Sequence, residues 1–386
     1  MLERFQQFRT AAVRFLSLGV CVALALVEWT AGRGNETGPQ QQTVKKLIEF
    51  GSDEPDTTFL RQHIAEMERT PFDGCVFHLM SIKPGGTPEN FNWLCWGRRA
   101  FTESELKPAL EDLQATAFSR FTHNFLRFNT TPADLDWFDD FTAVLNNARL
   151  AAQIARQGKC EGILFDTEQY QGELFNYERQ RDATKKSWDH YAAQARVRGR
   201  ELMEAFQNGF PNLTVFLTFG YSLPRSQSEN GKNRLAECSY GLLAPFLDGM
   251  VEAARGSARL VDGYETSYGY KEQVNFNDGY HLMKKGVLPI VADKEKYQRV
   301  ASAGFGIWMD FDCERNGWDS DDVMKNYFTP EAFERSVRLA LETTDEYVWI
   351  FTVIPRWWSA EGKALRLPAA YDRALRQARK GLAADN

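Results

Sequence analysis

Cysteine and histidine are scarce in these 386 residues: six Cys, five His, no C-x-x-C pair and no His-x-His. That excludes the common zinc spacings. Cys21 falls in the N-terminal apolar run. The odd set left is Cys75, Cys95, Cys160, Cys238 and Cys313. Cys75 and Cys160 abut strand-like runs, so buried free thiols are expected, with one disulfide as the alternative in an exported chain. There is no basic run, and Lys+Arg 46 against Asp+Glu 52 gives a net charge of -6. That argues against nucleic acid as the main partner. G-x-G-x-x-G, a P-loop and G-x-S-x-G are all missing, which leaves dinucleotide, phosphoryl-transfer and serine-triad chemistry without support. No run reaches the roughly 20 apolar residues of a membrane span.

The apolar run that does exist, Phe15–Val27, follows Arg4, Arg9 and Arg14. This is the layout of a signal peptide, with Thr30-Ala31-Gly32 offering small residues for cleavage. Residues 1–32 are therefore expected to be a signal peptide, or an uncleaved anchor as the alternative. A lipoprotein reading through Cys21 is weak, because Val20 precedes it. Residues 33–43 read as a polar linker and 44–386 as a single domain, exported to the periplasm or beyond. Aromatics are plentiful: Phe 28, Tyr 13 and Trp 10. Most of the Phe belong in a core.

Within 44–386, apolar runs alternate with amphipathic stretches. The expected strands are Lys46–Phe50, Gly74–Met80, Asn124–Asn129, Gly162–Thr167, Thr214–Phe219, Leu260–Glu265, Gly304–Asp310 and Tyr347–Val353. They read as continuous apolar runs, as parallel strands covered on both faces do. Helices follow each. Thr102 and Glu105 form a capping box, and Thr329 caps a helix with Pro330 at its first position. The stretch from Asn275 to Gln298 is the least regular. Eight such units predict an α/β fold, a (β/α)8 TIM barrel. A doubly wound sheet is disfavoured, since Phe50-Gly51-Ser52-Asp53-Glu54-Pro55 is no phosphate loop.

Such barrels carry their sites at the carboxyl ends of the strands. Asp166 and Glu168 lie there, two apart and so on one face. Two close carboxylates are costly to ionise together, and one kept protonated acts as a general acid. The bland alternative has Asp166 binding loop backbone and Glu168 facing solvent. Glu265, at the sixth strand's end, is the expected second carboxylate; its competing reading is a buried ion pair with Arg127. Asp310 and Asp312 are candidates to bind hydroxyls, act as base or hold a metal, with loop hydrogen bonding as the simpler reading. Tyr170, Tyr221, Tyr264, Tyr268, Trp308, Trp357, Trp358, Arg127 and Asn129 complete the expected substrate-binding set. Rings with polar tips beside carboxylates suit a sugar.

The layout resembles the (β/α)8 glycoside hydrolases over essentially all of Lys46–Leu382. Phe165-Asp166-Thr167-Glu168 is similar to the D-x-E ending of chitinase-like glycosidases, whose Glu is the general acid. The resemblance implies Glu168 as acid and Asp166 as its orienting partner. The family's longer run is D-x-x-D-x-D-x-E, and here Glu161 and Leu164 occupy its first two positions. Substrate assistance by an acetamido group is therefore not implied. The chain is also similar to exported bacterial glycosidase-like barrels.

The expected function is cleavage of O-glycosidic bonds, with a carbohydrate as partner and no cofactor. Glu265 is nucleophile or base, with Asp310 as substitute. A Glu168–Glu265 separation of about 5–5.5 Å means retention and about 6.5–9.5 Å inversion. One alternative is a metal-dependent sugar isomerase or hydrolase using Glu168, Glu265, Asp310 and His78. Another is a barrel that binds carbohydrate without cleaving it.

Overall fold

Every one of the eight apolar runs forms a parallel strand. The computed structural model describes residues 44–83, 85–228 and 234–384. The expected signal peptide and linker lie outside them. The strands are β1 (Lys46–Glu49), β2 (Gly74–Phe77), β3 (Phe125–Asn129), β4 (Gly162–Asp166), β5 (Thr214–Leu217), β6 (Arg259–Asp262), β7 and β8 (Tyr347–Phe351). β7 has two pieces, Ala301–Ala303 paired to β6 and Phe305–Trp308 paired to β8. They meet at Gly304, whose N–H donates to the Asp262 carbonyl at 2.8 Å. A Cβ there would sit 3.2–3.3 Å from atoms of Val261, Asp262 and Tyr347, so only glycine passes easily between the neighbouring strands. Through that residue the sheet closes, in the order β7-β8-β1-β2-β3-β4-β5-β6-β7. The fold is a (β/α)8 barrel.

Strand alternation divides the side chains into two cores. Ile48, Phe50, Val76, Phe125, Leu164, Phe216, Val261, Tyr347 and Trp349 fill the barrel interior. Leu47, Phe77, Leu126, Phe128, Ile163, Phe165, Val215, Ile307 and Val348 turn outward to the helices. Gly306 faces inward because the indole of Trp349 occupies its space; a Cβ there would lie 2.7 Å from that ring. The indole in turn donates to the Gly263 carbonyl at 2.8 Å.

The helical layer is α1 (Thr57–Met67), α2 (Glu103–Ala115), α3 (Thr142–Gln157), α4 (Trp188–Gly209), α5 (Leu243–Ala253), α6 (Gln273–His281), α7 (Pro330–Thr343) and α8 (Ala369–Ala384). Asp56 caps α1, Thr102 and Glu105 form the expected box on α2, and Thr329 caps α7 ahead of Pro330. The sixth unit is broken, as expected. After α6 come a π-turn at Leu282–Gly286, a 3-10 turn at Leu288–Ile290 and a short helix Lys294–Val300. Cys75, Cys95, Cys160, Cys238 and Cys313 are all buried, and none of them is in a disulfide.

The strands end earlier than their apolar runs suggest. β6 stops at Asp262, and Glu265 lies in a one-turn 3-10 helix, Glu265–Ser267. β7 stops at Trp308, ahead of Asp310. Past the last ladder bond the period of two no longer governs where a side chain points.

Candidate active site

The floor of the barrel mouth is built on Arg127, which β3 turns inward above Phe125. Its guanidinium donates to Glu54 (Nη1 to Oε1, 3.0 Å) and to Asp166 (Nη2 to Oδ2, 2.6 Å; Nε, 3.2 Å). It also donates to the Tyr170 hydroxyl at 3.1 Å. The Tyr170 hydroxyl in turn donates to Asp166 Oδ2 at 2.9 Å. Asp166 Oδ1 receives the Thr218 hydroxyl and the Glu168 N–H, each at 3.1 Å. Arg127 and Asp166 are 5% and 0% exposed. A charge pair this deep depends on its hydrogen bonds being made, and every guanidinium nitrogen of Arg127 has an acceptor. The two carboxylates flanking Arg127 hold its pKa well above the ordinary value against the opposing effect of burial. The rings of Phe50, Trp93 and Tyr170 lie 5.1, 5.4 and 5.6 Å from the guanidinium carbon. His78 Nδ1 stands 3.7 Å from Glu54.

Glu168 and Glu265 share the space above this floor. Burial and the Asp166 charge push Glu168 up to about 7, against a hydrogen bond with Tyr170 and the Arg127 charge. Burial raises Glu265 well above the ordinary carboxylate range, and the charges of Glu168 and Asp166 raise it further; a Tyr268 hydrogen bond opposes this. Both side chains keep partial solvent access. The two groups repel each other in a recessed site, so near neutral pH the pair holds on to a proton that two separate carboxyls would lose.

Phenols frame the pair. Tyr268 hydrogen-bonds Glu265 and stacks on Phe351 at 5.5 Å, with its edge to Trp308. Tyr240 accepts the Gln169 N–H at 3.1 Å, and burial above all, then the charges of Glu168 and Glu265, help it keep its proton. Asn129, on the inward face in register with Asp166, is fully buried, and neither amide atom has a hydrogen-bond partner among the described residues.

Other expected site residues lie elsewhere. Asp310, 2% exposed, spends its carboxylate on the N–H groups of Val353 and Ile354 and on the Trp308 indole (2.8–3.0 Å). It ties the loop after β8 to the end of β7, which is the simpler of its two readings. Asp312 sits in a left-handed turn at φ 47° and opens the short helix Cys313–Asn316. Tyr221 is buried in the helical layer, bonded to Asp248 at 2.8 Å and packed on Tyr297. Tyr264 has φ 44°, which swings its ring outward onto Phe305 and the Tyr270 hydroxyl. Trp357 and Trp358 pack on Phe72, and Trp358 also on Phe121, away from the pair. Glu265 bonds Tyr268 while Arg127 takes Glu54 and Asp166, so the direct ion pair considered for Glu265 is replaced by another.

Sequence reasoning placed Glu54 after the first strand without giving it a role, and left out Tyr240. The first had a signal, an acid closing the loop after β1. The second had none, since Tyr240 meets Gln169 across 71 residues of chain.

Glu49 is a buried carboxyl outside the mouth. It is the outward neighbour of Ile48 and 3% exposed. Burial pushes it up to about 8, with the Arg356 charge and the Gly51 N–H opposing. A carboxyl raised in the folded state loses stability as pH rises from its ordinary value of 4.5 toward 8. Glu49→Gln is expected to stabilise the protein by about 1–3 kcal/mol at pH 8 and by nothing below pH ~4. Urea unfolding at the two pH values checks this.

No family model matches the sequence, and no curated protein does. Solved structures do align. A glycoside hydrolase family 5 enzyme from Prevotella bryantii B14, in complex with a xyloglucan tetradecasaccharide, is 8% identical. The alignment covers 85% of this chain and 88% of that one, with a TM-score of 0.47. A broad-specificity endoglucanase from an uncultured bacterium is 11% identical over 88% and 93%, with a TM-score of 0.48. A hyperthermophilic endocellulase from Pyrococcus horikoshii is 11% identical over 88% and 92%, with a TM-score of 0.40. At such identities and TM-scores these likenesses carry no argument about what the chain does. The functional argument rests on the side chains.

Proposed function

We propose that this barrel is an exported glycoside hydrolase that cleaves O-glycosidic bonds of an oligo- or polysaccharide. One observation carries the reading: Glu168 and Glu265 meet over the strand ends, both with raised proton affinity, within a ring of phenols and indoles. Cleavage needs a proton for the leaving oxygen and an electron pair for the anomeric carbon. Glu168 supplies the proton. Glu265 attacks the anomeric carbon or takes a proton from the attacking water. Asp166, fixed by Arg127 and Thr218, orients Glu168 through the backbone N–H at 3.1 Å. Tyr170 and Tyr268 border the two carboxyls, with Trp93 and Trp308 edge-on to those rings.

The donor must be protonated in the free enzyme. With Glu168 titrating at about 7, kcat/KM is expected to fall as pH rises through about 7. A profile flat to pH 9 would count against Glu168 as the acid. The reading itself is tested by incubating the protein with a glycan panel and measuring new reducing ends beside a Glu168→Gln control. Release by the variant equal to wild type would overturn it.

A further inference from the structure

Glu265 stands beyond the last ladder bond of its strand. β6 ends at Asp262, and the turn between the two residues decides where the carboxyl goes. In that turn Tyr264 has φ 44° and ψ 59°. A bulky residue adopts this left-handed conformation at a cost, and keeps it only where its surroundings impose it.

Asp262 imposes it. The residue is 6% exposed, and both oxygens of its carboxylate are engaged. Oδ1 accepts the N–H groups of Tyr264 and Gly220, each at 3.1 Å. Oδ2 accepts the Ser222 hydroxyl at 2.7 Å and the Ser222 N–H at 3.4 Å. The backbone on either side of Tyr264 is tied down as well. The Gly263 N–H donates to the Leu217 carbonyl at 2.8 Å, and the Glu265 N–H to the Thr218 carbonyl at 3.3 Å. Gly220 and Ser222 lie in the segment after β5, so Asp262 acts on Glu265 through the backbone.

The other acid is held in the same manner. Asp166 ends β4, is fully buried, and takes the Glu168 N–H on Oδ1 at 3.1 Å. β5 runs between β4 and β6. Thr218, just past its end, joins the two turns: its hydroxyl donates to Asp166 Oδ1 at 3.1 Å while its carbonyl holds the Glu265 N–H. A reacting pair must keep its geometry to within about 0.5 Å. Past the ladder, these bonds are what keep it.

We infer that Asp262 is a positioning residue: by fixing the left-handed turn at Tyr264 it holds Glu265 opposite Glu168. What the pair does rests on the glycosidase reading. The placement does not, and it is measurable without substrate.

Carbon-13 labelling of the glutamate side chains tests it, with the pair followed from about pH 4 to 9 and Glu168→Gln and Glu265→Gln assigning the two signals. Glu168, Asp166, Tyr268 and Arg127 act on Glu265 in this space. The last proton of the wild-type pair is expected to leave at about pH 7 or above. Asp262→Ala should lower that midpoint by about one pH unit or more, because a displaced Glu265 no longer repels Glu168. Asp262→Asn keeps the Oδ1 acceptor without the charge and should restore the wild-type curve. Ser222→Ala removes a single bond and should move the midpoint the same way by less; it decides the matter if the alanine variant at 262 does not fold. On any glycan that the wild type cuts, Asp262→Ala should lower kcat about 10²-fold with KM within about threefold, and asparagine should recover most of the loss. An unchanged midpoint in the folded Asp262→Ala protein, or in Ser222→Ala where it stands in, overturns the inference. So does an asparagine variant that behaves like alanine. If the wild type cuts nothing while the midpoints move as expected, the hydrolase reading falls and the placement stands. If the wild type cuts and Asp262→Ala changes neither midpoint nor kcat, the placement falls and the hydrolase stands.

Discussion

Glu168→Gln is expected to lower turnover about 10²–10⁴-fold, the usual worth of a positioned general acid. Glutamine keeps the shape and the Tyr170 contact but has no proton to give. The loss should shrink for an aryl glycoside whose phenolate departs without protonation. A structural role for Glu168 would not make the loss depend on the leaving group. The same variant should be the more stable protein at pH 8. The wild-type carboxyl titrates at about 7 against an ordinary value of 4.5, so the folded state binds its proton more tightly than the unfolded chain does. That stabilises the fold at low pH and is lost as pH rises across this window. Removing the carboxyl removes the penalty. Loss of activity together with a raised melting point at pH 8, and no rise at pH 4, is the pattern of an acid held in place for chemistry. Unchanged turnover would end the assignment.

Arg127→Met should have the largest effect on folding. It deletes the cation between Glu54 and Asp166 and leaves two buried carboxylates facing each other. Breaking a buried pair by removing one partner costs about 3–5 kcal/mol, read as a shift in the urea midpoint at constant m. Arg127→Lys should fall between, because an ammonium keeps the charge but not the fork that reaches Glu54, Asp166 and Tyr170 together. The methionine variant also removes the positive charge that opposes protonation of Glu168 and Glu265. Any remaining activity should extend to higher pH than in the wild type. A loss below 1 kcal/mol would mean that Arg127 is not the keystone of the floor.

Much of the fold was legible because it is local. Phe125–Asn129 and Gly162–Asp166 are short apolar runs closed by polar residues, and those became β3 and β4. Thr102-x-x-Glu105 and Thr329-Pro330 satisfy helix-end N–H groups from within four residues. The pair Asp166 and Glu168 was visible for the same reason: strand alternation orders neighbours along a chain.

Alternation stops where the ladder stops, and most of the site lies past that point. Tyr264 and Glu265 are adjacent in sequence, yet a left-handed φ sends one ring into the helical layer while the next carboxyl reaches the mouth. Asp310 looked like a catalytic candidate until Val353 and Ile354, over forty residues away, claimed its oxygens. Arg127 meets Glu54 across 73 residues and Asp166 across 39, and no periodicity spans those gaps. The sequence by itself determined eight strand–helix units, their caps and an acidic tip on the fourth strand, since each depends on bonds and spacings within a few residues. Only ring closure decided which acids repel each other, which one is tied to a loop and which rings stand over them. Those outcomes depend on distances between segments that the chain brings together solely by folding.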